Sequence, residues 1–240
     1  MSPYELKMKL ELADDRAKFI KEHSMSNKMN AIVTDDGHMH VFDNEGNDIT
    51  KSVKSIGVEA FYNCTGLTSI FIPDSVTSIG RNAFSYCASL TNIIIPESVT
   101  SIGDCAFCNC TSLTSISIPD SVTSIGDYAF YNCISLKSII ISDLVKSIGN
   151  CAFFCCSCLK SIIISGSVKS IGKGAFCGCS CLKSIIIPGS VKSIGDSAFY
   201  CCNKMKSIIF KDKTLEEVRS IDNYPWGVED KSIFKAEKDE

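Results

Sequence analysis

The composition of this 240-residue chain, 45% hydrophobic and 21% charged, is that of a folded globular protein and excludes disorder throughout. The net charge of −3 gives no overall attraction to nucleic acid or to an anionic membrane. No apolar run approaches the roughly 18 residues that a membrane-spanning helix requires, so we expect no membrane insertion. Residues 1–23 are too charged for a signal peptide. The default location is therefore the cytoplasm, and the alternative is a virion or cell surface reached by another route.

Residues 1–30 are predicted to form an amphipathic helix. Its apolar residues recur at alternating spacings of four and three, with charged residues on the opposite face. They are Leu6, Leu10, Ala13, Ala17 and Ile20. Because this pattern is too short for a coiled coil, we expect the helix to dock onto the rest of the chain or onto another chain. If it docks onto a second copy of the chain, the protein would self-associate through residues 1–50.

Residues 31–52 are predicted to form a hairpin and to cap the first end of the repeats that follow. Two short strands flank Asp36-Gly37, a typical hairpin turn pair. His38 and His40 point the same way on one strand and could share a metal ion. No third ligand lies nearby in the sequence, so ordinary surface histidines are the favoured interpretation.

Residues 53–210 contain seven 23-residue repeats without an insertion. The tripeptide Ser-Ile-Gly begins at positions 55, 78, 101, 124, 147, 170 and 193. An Ala-Phe pair follows each tripeptide, and a cysteine lies three residues after each phenylalanine. A fixed period in the twenties predicts a solenoid, in which each repeat is one coil stacked on the previous one.

Within a repeat, Ile116 and Ile118 alternate with polar residues and predict a short strand. The Ser-Ile-Gly segment predicts a second, shorter extended piece, and the Ala-Phe segment predicts a partial helical turn. The inward-facing set of this repeat is predicted to be Val122, Ile125, Ala129, Phe130, Cys133 and Leu136. One coil cannot bury these side chains alone, so its neighbours must complete the core.

Residues 211–240 differ in composition from the repeats and are predicted to form a C-terminal cap. A solenoid core is open at each end and requires such a cap. Trp226, the only tryptophan, is expected to fold over the last coil.

The repeat order Leu-x-x-Ile-x-Ile-Pro, Ile-Gly, Ala-Phe, Cys resembles that of the BspA-like, treponemal type of leucine-rich repeat proteins. The resemblance covers roughly residues 53–210. It implies a leucine-rich repeat solenoid of seven coils, with a parallel β-sheet on the concave face and a cap at each end. It also implies a role in adhesion or protein binding without catalysis.

The fifteen cysteines divide into two groups. Seven occupy one core position of the repeat, where a buried thiol behaves as a small hydrophobe. The other eight are predicted on the turn side, at positions that hold Tyr, Ser, Asn, Gly or Lys in other repeats. Ordinary thiols are therefore favoured over disulfides and over a zinc site, which would use Cys155, Cys158, Cys177 and Cys181. We expect no metal and no cofactor.

The candidate partner-binding residues lie between the two inward isoleucines of each coil, on the open face of the sheet. They are Phe71, Ile94, Ile140, Ile163, Ile186 and Ile209, with Ser117 in the remaining coil. A contiguous exposed apolar patch commonly marks an interaction site. The alternatives are cover by the chain itself, self-association, or simple β-propensity.

A basic rim is predicted along the later coils, where lysine replaces threonine after the repeat leucine. Its members are Lys137, Lys160, Lys183 and Lys206. The rim could attract an acidic partner, although a solvated edge is the favoured interpretation. It lacks the interleaved arginines and aromatics of a nucleic-acid site, so no nucleic-acid partner is expected.

No nucleophile motif or cluster of ionisable groups typical of an enzyme appears in the sequence. The predicted function is a non-catalytic, adhesion-type module that binds a protein partner, such as a host or assembly protein, through the concave face. The alternative is a structural component of a virion or cell-surface assembly, anchored by the N-terminal segment.

Overall fold

The structure, a computed structural model, describes residues 30–33, 39–42, 48 and 50–239. The chain winds through them as a parallel β-solenoid of about eight turns with a repeat of about 23 residues. The solenoid and its period are as predicted, whereas the repeats alone indicated seven coils. The boundaries at residues 30, 52 and 210 stay a prediction, and the proposed helix over residues 1–30 lies outside the described residues except for Asn30.

The repeats contribute short strands of two kinds, and both kinds are present in every repeat except the third. The first kind follows the repeat leucine: β4 (Ser69–Phe71), β6 (Asn92–Ile94), β9 (Ser138–Ile140), β11 (Ser161–Ile163), β13 (Ser184–Ile187) and β15 (Ser207–Phe210). The second kind is the Ser-Ile pair before each glycine: β3 (Ser55–Ile56), β5 (Ser78–Ile79), β7 (Ser101–Ile102), β8 (Ser124–Ile125), β10 (Ser147–Ile148), β12 (Ser170–Ile171) and β14 (Ser193–Ile194).

The two kinds of strand differ in continuity. The seven Ser-Ile strands form one parallel sheet in chain order, and each pairs with residues 23 positions away, as Ser147 does with Ser170. The longer strands pair only in groups, β4 with β6, β9 with β11, and β13 with β15. In the third repeat a single bridge joins Ser115 to Ser138. The shorter segment therefore makes the more continuous sheet.

The core is a column of stacked phenylalanines with aliphatic side chains on both sides. Neighbouring rings lie 5.0–5.7 Å apart and nearly parallel. The column consists of Phe61, Phe84, Phe107, Phe130, Phe153, Phe176 and Phe199. The inward-facing set predicted for the repeat that contains Phe130 is buried in full, which confirms that prediction.

The predicted helical turn at the Ala-Phe segment is wrong. Tyr128 and Asn132 have positive φ angles of 57°, which a right-handed helix does not allow. Their backbone N–H groups, with that of Phe130, donate to the next coil instead, at 2.7–2.8 Å. The segment is a run of turns in which the N–H groups that alternate with these, those of Tyr131 and Cys133, donate three residues back within the same coil, at 3.0 and 3.2 Å. Within the described residues, the one α-helix is α1 (Leu215–Arg219), outside the repeats.

At the N-terminal end, β1 (Asn30–Val33) pairs antiparallel with β2 (Met39–Phe42), which is the predicted hairpin pairing. The connecting residues, with Asp36-Gly37 and His38, lie outside the described residues. A 3₁₀ helix (Thr50–Ser52) then leads into β3. The hairpin therefore lies where the chain enters the first coil.

At the C-terminal end, Trp226 is fully buried and packs on the last coil, as predicted. Its ring lies 5.7 Å from that of Phe210 and 5.6 Å from that of Phe234. Its carbonyl accepts the Phe199 N–H at 3.0 Å, where the next coil would accept it. Strand β16 (Phe234–Ala236) adds to β15 in parallel, between 3₁₀ helices at Lys231–Ile233 and Glu237–Asp239. Among the described helices, none has the length and apolarity that crossing a membrane requires.

Candidate interaction surface

The candidate surface is the column formed by the central side chains of the longer strands, which we call the isoleucine stripe. It runs through Phe71, Ile94, Ser117, Ile140, Ile163, Ile186 and Ile209. Strand alternation turns Ile139 and Ile141 into the core and Ile140 away from it. The same alternation recurs at each coil because the register is constant.

The middle of the stripe is open to solvent. The exposed fractions are 50% for Ile94, 61% for Ile140, 60% for Ile163 and 49% for Ile186. Phe71 and Ile209, at the two ends, are half-buried. Ser117 interrupts the apolar surface between Ile94 and Ile140, so the longest continuous stretch covers the last four coils. Adjacent large apolar side chains of this kind are uncommon on a solvated surface.

The predicted basic rim borders this stretch, and we call it the lysine rim: Lys137, Lys160, Lys183 and Lys206, all exposed. At this position the backbones of neighbouring coils are hydrogen-bonded, since the Lys160 N–H donates to the Lys137 carbonyl at 2.9 Å. In the earlier coils the Thr91 hydroxyl adds a second bond to the Thr68 carbonyl at 3.0 Å. Lysine at this position therefore replaces that hydroxyl bond with an exposed charge.

A column of carboxylates, which the sequence analysis did not identify, borders the other end of the strands. We call it the acidic edge: Asp74, Glu97, Asp120, Asp143 and Asp212, all exposed. Each lies three residues after its stripe residue, and glycine takes the position at Gly166 and Gly189. Aligning the charged residues by the same repeat register would have predicted the acidic edge from the sequence. The stripe is thus bordered on this side by acids in its first four coils and its last, and on the other side by lysines in its last four.

At its N-terminal end the stripe opens into a groove of about 610 Å³. Met39 and His40 of the hairpin line this groove together with Phe71 and Ile94. The His40 Nδ1 lies 3.2 Å from a carboxylate oxygen of Asp48. Hydrogen bonds from the Thr50 side chain and backbone lower the pKa of Asp48 to about 2. His40 therefore belongs to a local polar network beside the groove.

Five of the seven repeating cysteines are buried, and Cys64 and Cys202, in the first and last coils, are half-buried. The thiols of Cys87, Cys110, Cys133, Cys156, Cys179 and Cys202 each donate to the carbonyl of the phenylalanine 26 residues earlier, at 3.0–3.2 Å. Burial raises the pKa of the Cys156 thiol well above its usual range, and that of Cys202 to about 12. A thiol held in the neutral form is a poor metal ligand and a poor nucleophile, so these residues are structural, as predicted.

The other eight cysteines, outside the repeating position, lie on the turn side. Cys177 is buried, Cys158 and Cys201 are exposed, and the others are half-buried. No disulfide joins any of the fifteen cysteines, all of which are among the described residues. Over that part of the chain, no three His, Cys, Asp or Glu side chains form a group that could hold a metal ion. This includes the four cysteines that were the candidate zinc ligands.

The repeat pattern matches the family described as the BspA type leucine-rich repeat region, in six copies, over residues 40–157 and 100–224. Two solved structures are similar. The leucine-rich repeat protein of T. pallidum is 27% identical with a TM-score of 0.61, over 76% of this chain and 90% of that one. A leucine-rich repeat protein of Bacteroides ovatus is 25% identical with a TM-score of 0.60, over 82% of this chain and 75% of that one.

No curated protein matches the chain. The repeat match extends over well more than half of the sequence, and its register is the one that the coils adopt. Repeat modules of this type commonly serve in protein interaction or at surfaces and are typically non-enzymatic. The chain belongs to the family of BspA-type leucine-rich repeat proteins.

Proposed function

We propose that this protein is a non-catalytic, adhesion-type module that binds a protein partner through the isoleucine stripe. The observation behind the proposal is the exposure of Ile140, Ile163 and Ile186 in three successive coils. Each isoleucine that leaves water on binding contributes roughly 25 cal/mol for every Å² of apolar surface buried. Evenly spaced branched side chains on a rigid sheet also lose little conformational freedom when a partner covers them.

The flanking charges support specificity in addition to affinity. The lysine rim along the last four coils favours a partner with acidic residues beside its apolar contact surface, since charge complementarity guides association and excludes competing partners. We therefore expect the partner to present an apolar ridge with carboxylates on one side.

The test compares two double variants of the full chain. Ile140→Glu with Ile163→Glu places two charges in the centre of the stripe, whereas Val58→Glu with Ile134→Glu places them at exposed apolar positions outside it. A partner is first isolated from the native source, identified and purified, and its binding to each variant is then measured by calorimetry.

The stripe variant is expected to lose binding by at least about a hundredfold, because two charges would be desolvated in the interface, while the control variant binds normally. Circular dichroism must show the same fold for both. Equal affinity of the stripe variant and the control for the purified partner would refute the proposal.

A further inference from the structure

We propose that Cys105 and Cys108 form a redox site, in which a small-molecule disulfide oxidises the two thiols to a reversible disulfide within one turn. The structure holds both residues as free, half-buried thiols. The inference is independent of the partner-binding function, because the site lies on the turn side of the third coil, whereas the isoleucine stripe lies on the strands.

The first support is the conformation of the backbone between the two cysteines. The Cys108 N–H donates to the Cys105 carbonyl at 3.0 Å, which closes a four-residue turn around Ala106 and Phe107. The ends of such a turn lie within roughly 7 Å of each other, and a disulfide needs Cα atoms roughly 4.4–6.8 Å apart. The backbone therefore already holds the two residues at about the separation that the bond requires.

The second support is the placement of the side chains. The two thiols lie within hydrogen-bonding range of each other, with Cys108 as the donor. The next coil shows that these two positions of the repeat face each other, since the Tyr128 and Tyr131 rings there lie 5.8 Å apart. Among the seven repeats, only the third has cysteine at both positions.

The third support is a set of donors that holds the Cys108 sulfur. It accepts a hydrogen bond from the Asn109 Nδ2 at 3.1 Å and another from the buried Ser85 hydroxyl. The Asn109 amide is itself oriented, because its Oδ1 accepts from the Asn132 Nδ2 at 2.8 Å. The Cys108 sulfur is thus fixed beside that of Cys105, and its donors favour the thiolate that the reaction needs.

A second pair with the same spacing, Cys155 and Cys158, lacks this arrangement. The Cys158 N–H donates to the Ile134 carbonyl of the preceding coil at 3.1 Å, so it does not close a turn back to Cys155. Cys156, between them, is buried in the core. The fold therefore builds a facing pair of thiols in the third coil and not in the fifth.

The reaction is two successive exchanges with the small-molecule disulfide. Cys105 loses its proton to solvent and attacks one sulfur of the small molecule, whose S–S bond breaks and releases one thiol. Cys108 then loses its proton and attacks the Cys105 sulfur, and the mixed S–S bond breaks to release the second thiol. The protein loses two protons and two electrons, and the small molecule gains both.

The environment makes this exchange slow in both directions. Burial and the Asp104 carboxylate raise the pKa of Cys105, which Arg81 partly offsets, and burial raises the pKa of Cys108 to about 11. Thiols of raised pKa ionise rarely at neutral pH and are poor leaving groups. The site is therefore suited to a lasting change of state and not to rapid turnover.

Oxidation would reinforce the one repeat that lacks the longer strand. Phe107 lies within the turn and stacks on Phe84 at 5.4 Å and on Phe130 at 5.3 Å. In the same repeat a single bridge, Ser115 to Ser138, replaces the strand. A covalent link across the turn would hold Phe107 in the column where strand pairing is sparse.

The test equilibrates the reduced full chain with glutathione buffers in which the fraction of glutathione disulfide rises stepwise. Free thiols are alkylated with a light reagent, disulfides are reduced, and the released thiols are alkylated with a heavy reagent. Mass spectrometry of the digested protein then gives the oxidised fraction of each cysteine. The equilibrium constant for oxidation of Cys105 with Cys108 is expected to exceed that of Cys155 with Cys158 by at least about tenfold.

The same titration in concentrated urea is the control for the fold. Because the two pairs have the same spacing in the chain, they should oxidise alike once the turn is lost. A preference for Cys105 and Cys108 that persists in urea would mean that the folded turn does not produce it, and would count against the proposal.

Two variants separate the steps. Cys108→Ser should leave Cys105 as a mixed disulfide with glutathione, seen as an increase in the mass of the intact protein. Asn109→Asp keeps the side-chain size at a positive φ but removes the donor to Cys108, and should slow closure of the disulfide several-fold. Asn63→Asp, at the same repeat position in the first coil, is its control and should leave the rate unchanged.

Equal oxidation of the two pairs in the folded protein would overturn the inference. Glutathione adducts on both Cys105 and Cys108, without a disulfide between them, would overturn it as well, because they would show that the two sulfurs do not meet.

Discussion

The backbone of Gly149 passes so close to that of Gly126, one coil earlier, that a Cβ atom on Gly149 would lie 2.5 Å from the Gly126 carbonyl oxygen. The same contact recurs at Gly103, Gly172 and Gly195, where the nearest backbone atom of the preceding coil would be 2.3–2.8 Å away. No real Cβ contact is that short. Glycine is therefore required here by the approach of neighbouring coils, and this approach keeps the Ser-Ile sheet continuous.

Gly149→Ala is expected to destabilise the fold by at least about 2 kcal/mol, because the preceding coil must move to make room. Gly57→Ala is the matched control: Gly57 holds the same repeat position in the first coil, where nothing lies within 4 Å of its Cβ direction. Its effect should stay within about 0.5 kcal/mol. Urea unfolding measures both, and equal effects would contradict the close-approach explanation.

The stability of the fold is expected to decrease above pH 9. Burial raises the pKa of the Cys110, Cys133, Cys156 and Cys179 thiols, whereas in the unfolded chain they ionise near the ordinary value of 9.0. A raised folded-state pKa gives stability that is complete below the unfolded value and is lost above it. Each thiol then removes up to about 1.4 kcal/mol per pH unit.

Urea midpoints under reducing conditions at pH 7.5, 9 and 10.5 measure this decline. Cys156→Ala should make the pH dependence shallower by one proton, while Cys158→Ala, which removes an exposed thiol, should leave it unchanged. If the two variants show the same slope, the buried thiols are not its source.

Trp226→Ala is expected to lower the free energy of unfolding by about 3–5 kcal/mol, because it empties the largest fully buried side-chain site. The indole Nε1–H also loses its bond to the Asp222 carbonyl, at 2.7 Å. Tyr200→Ala, which truncates a half-exposed ring near the cap, is the control and should cost far less. Thermal unfolding followed by circular dichroism decides the comparison, and a similar melting temperature for both variants would show that the tryptophan does not anchor the cap.

Ser142 and Ser165 replace proline at the same position in successive repeats. We expect their substitution by alanine to have different effects on stability. The Ser142 hydroxyl donates to the Val122 carbonyl at 3.0 Å, whereas the buried Ser165 hydroxyl has no hydrogen-bond partner among the described residues. Ser142→Ala should therefore cost about 1 kcal/mol, while Ser165→Ala should be neutral or stabilising by a similar amount. Denaturant unfolding that shows the same sign for both would contradict this difference in bonding.

The repeat register predicted most of the fold because the same strand positions and buried positions recur in all seven repeats. The burial of Val122, Ile125 and Phe130 followed from that register. The conformation of the Ala-Phe segment did not follow from the register, because its local pattern suits a helical turn. The carbonyls that accept the N–H groups of Tyr128 and Asn132, and so favour their positive φ angles, belong to the neighbouring coil. A contact 22 residues away is not visible in a local pattern.

The candidate surface was predictable in part. The exposure of Ile140 and Ile163 followed from strand alternation, since Ile139 and Ile141 fill the core. The acidic edge was missed because the register was applied to the apolar residues and lysines alone, although it also aligns Asp74 and Glu97 beside Phe71 and Ile94. The cap around Trp226 lies outside the repeats, so no register predicts the parallel pairing of β16 with β15.

The hydrogen bonds between coils run in both directions along the axis: the Phe130 N–H donates forward to Ala152, and the Cys156 thiol donates back to the Phe130 carbonyl. In the phenylalanine and cysteine columns, an interior unit thus presents the same donors and acceptors on its two sides as its neighbours do. Whole units can therefore be duplicated or deleted without disturbing either end. Each coil that evolution adds or removes lengthens or shortens the recognition surface by one stripe residue, while the N-terminal hairpin and the C-terminal cap stay unchanged.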